Sequence, residues 1–180
     1  LCRRFVEQRA ELEGFSLPPL KQGSKEEQLA RLYSKAKGCK GCALSLSRTN
    51  LVFGEGCPGA EVVFVGEAPG REEDIQGRPF VGPAGKLLTK MIESIGMKRG
   101  EVYIANVLKC RPPNNRDPLA QEKEKCVHWL RTQLAIVKPR VIFALGTFAA
   151  QALLETDSTI SELRGRVFGL EQMKLVASYH

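Results

Sequence analysis

From residue 60 onward, short apolar runs alternate with amphipathic stretches along the chain. Glu61-Val62-Val63-Phe64-Val65 reads as a buried strand, and residues 85–95, closed by Gly96, read as a helix. A second strand runs from Val102 to Val107, followed by a helix at about 118–137. Val141 to Leu145 is a third strand with a helix at 147–154 behind it, and Lys174 to Ser178 is a fourth. Strands that alternate with helices predict an α/β domain whose mostly parallel sheet is covered on both faces. Ligands of such sheets gather beyond the carboxyl ends of the strands. The segments just after Val65, Val107 and Ser178 are therefore where chemistry is expected.

The first forty residues follow another pattern. Residues 3–13 are charged and amphipathic, and Gly14 to Gly23, with Pro18 and Pro19, read as a linker. Ser24 opens a helix as N-cap, with Glu27 three positions on as in a capping box, and the helix ends near Gly38. Residues 1–38 are thus expected to form a helical extension packed on a domain spanning 39–180.

Composition narrows the function. A chain of 180 residues fits one domain. The net charge of +7 favours a polyanionic partner, although many soluble proteins this basic bind none. No apolar run approaches the roughly 18 residues of a membrane span, and the N-terminal residues lack the apolar core of a signal peptide. The expected location is cytoplasmic, and both chain ends look clipped. Six cysteines without an export signal point to metal or cluster ligation in a reducing compartment rather than to disulfides.

Cys39 and Cys42 form a C-x2-C pair; Cys110 stands just past the second strand and Cys126 in the following helix. Four converging thiolates suit a soft metal centre, but the spacing alone also fits zinc, a redox dithiol or two ordinary core residues. Cys2 and Cys57 match neither pair and read as free thiols. After the first strand, Gly66-Glu67-Ala68-Pro69-Gly70 lets backbone approach a ligand closely, without a dinucleotide or Walker signature. Phe80 sits in a glycine-rich loop, as a stacking platform or a plug. Asn106 ends a buried strand, where its carboxamide either reads a base edge or ties down a loop. Lys109, Arg111 and Arg116 lie in a proline-stiffened segment suited to phosphates, or merely solvated. His180 follows the fourth strand, where a catalytic imidazole is expected; His128 reads as structural or exposed.

Together these segments resemble family 4 uracil-DNA glycosylases, the iron–sulfur members of that superfamily. The resemblance covers about residues 39–180. It is carried by Gly66 to Gly70, Glu73-Asp74, Gly77 to Gly82, Ala84-Gly85, Asn106 to Pro113, Asn115-Arg116 and the four cysteines. It implies an α/β/α three-layer sandwich around a four-stranded parallel sheet, and a structural [4Fe–4S] cluster on Cys39, Cys42, Cys110 and Cys126. It also implies a monofunctional, monomeric enzyme that hydrolyses the N-glycosidic bond of uracil in DNA, with no membrane partner. Carried over by position, Phe80 stacks on uracil, Asn106 bonds its N3–H and O4, and His180 donates to O2. Gly66 to Gly70 face the sugar and the attacking water, and Glu73 lies near C5 to exclude thymine. Glu67 shares that wall, and Ala68 stands where family 1 enzymes carry a water-activating aspartate. Family members continue past the position of His180 with a loop that wedges into DNA. Glycosylases of other deaminated bases, and a non-catalytic nucleic-acid-binding module with a structural metal, are the rival readings.

Overall fold

The computed structural model describes residues 17–19 and 22–180; the amphipathic segment at 3–13, Cys2 and half of the 14–23 linker lie outside the described residues. The chain opens with α1 (Lys25–Lys37), α2 (Leu44–Ser47), a short strand β1 (Glu55–Gly56) and β2 (Val62–Gly66). It continues with α3 (Arg71–Gln76), α4 (Pro83–Ser94), β3 (Tyr103–Asn106), α5 (Ala120–Val137) and β4 (Val141–Leu145). The last elements are α6 (Thr147–Leu154), α7 (Ile160–Leu163), β5 (Val167–Leu170) and β6 (Met173–Ser178).

Local chemistry explains these boundaries. Ser24 accepts from the Glu27 N–H at 3.2 Å while Glu27 accepts from the Ser24 N–H at 3.1 Å, so the capping box starts α1 as expected. Pro83 opens α4, where its missing N–H costs nothing. The sheet runs β1-β3-β2-β4-β6-β5. Its four central strands pair in parallel, at the spans the apolar runs predict. The expected count of four is corrected by two antiparallel edge strands, β1 against β3 and β5 against β6. These edges close the sheet with short segments, which limits exposed pairing groups.

The pleat sends alternate side chains to opposite faces. Val63, Val65, Ala105, Ile142 and Ala144 join one apolar cluster with residues of α1, α5 and α6, including Leu29, Leu32, Leu130, Leu134 and Leu153. Phe64 and Ile104 join a second cluster with Leu88 and Ile92 of α4 and with Phe80. Because α1 packs against α5 and Leu29, Leu32 and Ala36 belong to the main cluster, this helix shares the domain's core. The layers leave the carboxyl ends of β2, β3 and β6 on one edge, where the loops converge.

Candidate functional site

A pocket of about 250 Å³ opens at that edge, lined by Glu67, Ala68, Pro69, Gly70, Glu73, Phe80, Ala84, Asn106, Pro112, Asn115, Arg116 and His180. The aromatic ring, the carboxamide and the imidazole singled out in the sequence therefore converge, although they come from a loop and two different strand ends.

The inner side is tightly built. Asn106 is 2% exposed, and its Oδ1 is buried with no hydrogen-bond partner among the described residues. Orphaned buried acceptors are uncommon in folded proteins, and a catalytic or binding role is one of the reasons they persist. Gly66 lies beneath the pocket and does not line it: a Cβ there would sit 2.5 Å from Asn106 Oδ1 and 2.5 Å from Phe80 Cζ. Its task is to let ring and carboxamide approach each other. Phe80 adopts a left-handed backbone (φ 51°), which a bulky side chain rarely does. Its carbonyl lies so close to Gly85 that a Cβ at Gly85 would collide with it.

Glu73 lines the pocket, but Glu73 Oε1 accepts from the Val81 N–H and the Gly82 N–H, both at 2.8 Å. It anchors the loop that carries Phe80. Next to it, Asp74 is buried and accepts from the backbone N–H groups of Thr49 (2.9 Å) and Asn50 (3.3 Å), fastening α3 to the segment that follows the C-x2-C pair. Glu67 is half-buried; burial pushes its carboxyl up to about 6, Asp117 adds to the rise, and Lys123 opposes it.

The rim is looser. His180 is exposed and rests against Gly146, where a Cβ would come within 3.0 Å of the His180 Cβ. Arg111 donates from Nε to Asn115 Oδ1 at 2.7 Å, and Arg116 forms a two-pronged pair with Glu122 at 2.6 and 2.9 Å. Lys109 overturns its expected role at a DNA phosphate. It is 1% exposed, and its Nζ turns inward to the Asn106 carbonyl (2.7 Å) and Gln133 Oε1 (2.6 Å). Burial pulls its ammonium down to about 7, against the opposing pull of the Cys126 and Cys110 thiols. Gln133 in turn donates to the Phe53 carbonyl at 2.8 Å and to the Tyr103 hydroxyl at 3.0 Å. Lys109 therefore supports the strand end that carries Asn106.

Behind the pocket, Cys110 and Cys126 are buried with Leu44 and Leu108, and Cys42, Ala68 and Trp129 pack against them. Cys39 and Cys42 are near enough to Cys110 to raise its thiol together with burial, the larger cause, and burial pushes Cys126 up to about 11. Three of the four sulfurs accept N–H bonds: Cys39 from Gly41 N at 3.4 Å, Cys110 from Arg48 Nη1 at 3.1 Å, and Cys126 from Lys109 N at 3.3 Å. Arg48 also donates to the carbonyls of Lys37 (2.9 Å) and Cys39 (3.3 Å). Among the described residues, no three His, Cys, Asp or Glu side chains close on a single metal ion. Cys57 stands apart, packed on the main core.

Arg48 and Gln133 carry no mark in the sequence, nor do Glu55 and Arg99, which meet below the Phe80 loop, and Asp74 was marked only as part of the family motif, without its anchoring role. Their partners lie between 9 and 80 positions away, so no local spacing marks them.

A family model described as the uracil DNA glycosylase superfamily matches residues 53–180. A type-4 uracil-DNA glycosylase of Archaeoglobus fulgidus is 50% identical over 162 residues, covering 86% of this chain and 81% of that protein. One from Thermotoga maritima is 44% identical over 159 residues, covering 87% and 83%. A type-5 uracil-DNA glycosylase of Pyrobaculum aerophilum is more distant, at 34% over 138 residues, covering 67% and 61%.

Proposed function

This chain belongs to the uracil DNA glycosylase superfamily, within its type-4 group, and from that premise we propose how its pocket removes uracil from DNA. The reaction hydrolyses the N-glycosidic bond and leaves an abasic site, the first step of base excision repair. The carrying observation is the buried, unpartnered Asn106 Oδ1 in a pocket shared with Phe80 and His180.

A base stacked in duplex cannot reach this depth, so uracil is flipped out, at a cost of about a few kcal/mol. Phe80 stacks on it. Asn106 Oδ1 accepts from uracil N3–H and its amide donates to O4. Cytosine presents an amino group at that place and no proton on N3, so it leaves buried polar groups mismatched. As the glycosidic bond lengthens, the sugar becomes cationic and uracil leaves as an anion. His180 donates to O2 and stabilises that charge. Glu67, Ala68, Pro69 and Gly70 form the sugar-side wall, where ionised Glu67 holds the attacking water. Glu73 fixes the loop opposite and narrows the pocket near C5 against thymine. Arg111 and Arg116 take DNA phosphates, which gives salt-dependent affinity with little sequence preference.

The four cysteines suit a [4Fe–4S] cluster. The N–H groups aimed at three sulfurs favour anionic thiolates, and the apolar packing shields them. When bound, the cluster would supply a rigid cross-link and no chemical step.

Uracil release from a uracil-containing oligonucleotide tests this reading, with hypoxanthine and xanthine oligonucleotides as controls. Asn106→Ala should slow release on the order of 1,000-fold while the fold and the thermal midpoint persist. Near-wild-type release would remove the base-reading role. Cys110→Ser should lose brown colour, iron and thermal stability together; a coloured, stable variant would reject ligation by Cys110.

A further inference from the structure

We propose that Arg99, supported by Glu55, is a positioning residue that holds the Phe80 ring in its uracil-stacking place; the inference rests on the stacking role given to Phe80 above. Neither Arg99 nor Glu55 lines the pocket. Arg99 lies in the short turn Arg99–Glu101 between α4 and β3, with its side chain 21% exposed. Its guanidinium reaches three separate acceptors. Nη2 donates to the Pro79 carbonyl at 2.6 Å, Nη1 to Thr89 Oγ1 at 3.2 Å, and Nη2 and Nε to Glu55 Oε1 at 2.8 and 3.2 Å.

The Pro79 carbonyl belongs to the peptide that enters Phe80. On the other side of the ring, the Val81 and Gly82 N–H groups are held by Glu73. An acid and a cation thus pin the two peptides that flank a residue in left-handed backbone. Such a conformation persists only where its surroundings over-determine it. Release of the Pro79 carbonyl allows Phe80 to relax, and the ring then leaves its place against Gly66. The arrangement also demands a planar fork. Three acceptors in diverging directions match the fixed donors of arginine, whereas lysine offers one compact head. Glu55 holds the fork in turn, and Arg78 pairs with its second oxygen at 2.8 Å from a more exposed position.

The test is a double-mutant cycle on the full chain, read by single-turnover uracil release with the thermal midpoint recorded for each protein. Arg99→Gln should slow release on the order of 10- to 100-fold, because a small misplacement of a substrate-positioning group carries such losses. Arg99→Lys should recover part of that loss. On a Phe80→Leu background, Arg99→Gln should change the rate by less than about 3-fold, since two residues acting through one ring are not additive. Equal fold-losses on both backgrounds would overturn the positioning role and leave the Phe80 reading intact. Wild-type release by Phe80→Leu would remove that reading, and this inference with it. If Arg99→Gln does not fold, Glu55→Gln replaces it in the same cycle, with an expected loss of about 3- to 10-fold that vanishes on the Phe80→Leu background; additivity there overturns the proposal equally.

Discussion

Phe80 and Asn106 on the inner side of the pocket, and His180, Arg111 and Arg116 on the rim, differ in how completely the fold holds them. The inner pair is buried, with its backbone fastened by Glu73, Arg99 and Lys109 and a glycine beneath it that admits nothing larger. The rim residues are half-buried to exposed, and their bonds are mostly local. Groups already in place on the inner side lower the ordering cost of a ligand bound there. The rim arginines lie nearer solvent and are held by neighbours four to six positions away, Asn115 and Glu122.

Substitutions on the two sides should separate in size and in kind. Short of removing the Asn106 carboxamide itself, the largest effect should come from Gly66→Ala, whose Cβ pushes on both Asn106 Oδ1 and the Phe80 ring; a loss on the order of 100-fold in single-turnover release is expected, unchanged by salt. A near-wild-type rate would show that the inner side yields more easily than its packing implies. Asp74→Ala should cost about 1–2 kcal/mol of stability in denaturant unfolding, because it removes the buried acceptor of the partly buried N–H groups of Thr49 and Asn50. Iron content should fall with it, since the same segment leads from the C-x2-C pair.

Glu67 gives a smaller, pH-dependent effect. Its carboxyl is held at about 6, so release should climb as pH rises through that value, and Glu67→Gln should be about 3- to 10-fold slower above it and lack the climb. The stability linkage runs the opposite way. The folded state binds this proton more tightly than the unfolded chain, so the Glu67 contribution is greatest below the ordinary carboxylate range and is lost as pH rises past about 6. A rate profile identical in the variant would remove Glu67 from the reaction. The smallest change should be at the rim: Arg111→Ala should weaken DNA binding a few-fold and reduce the slope of log affinity against log salt by about 1. A salt-independent loss would place Arg111 with the inner group instead.

The central sheet was legible because strands buried on both faces must be apolar throughout, and the runs around Val63, Ile104, Phe143 and Leu175 have no other reading. The edges were not: Glu55-Gly56 is too short to show alternation, and Gly169 interrupts the run around Phe168. At the site, the family resemblance marked the ring, the carboxamide and the imidazole that the fold gathers into one pocket. The local pattern misplaced Lys109, because a lysine beside two arginines reads as part of a basic surface. Its true partner, Gln133, lies 24 positions on in α5 and leaves no trace near residue 109. Gly66 was read as facing the ligand when its role is to yield space. Arg99 and Glu55 stand 44 positions apart, and only the closed fold makes them neighbours.

Ala68 belongs to two neighbourhoods at once: it borders the pocket at the strand ends, and it packs against the cluster that holds Cys110 and Cys126. Grafting a catalytic aspartate onto position 68 would therefore set a new negative charge beside sulfurs that already carry their own when ligated. Faster chemistry and an intact sulfur nest would pull against each other at one methyl group, and engineering a stronger base into this scaffold would have to begin somewhere else.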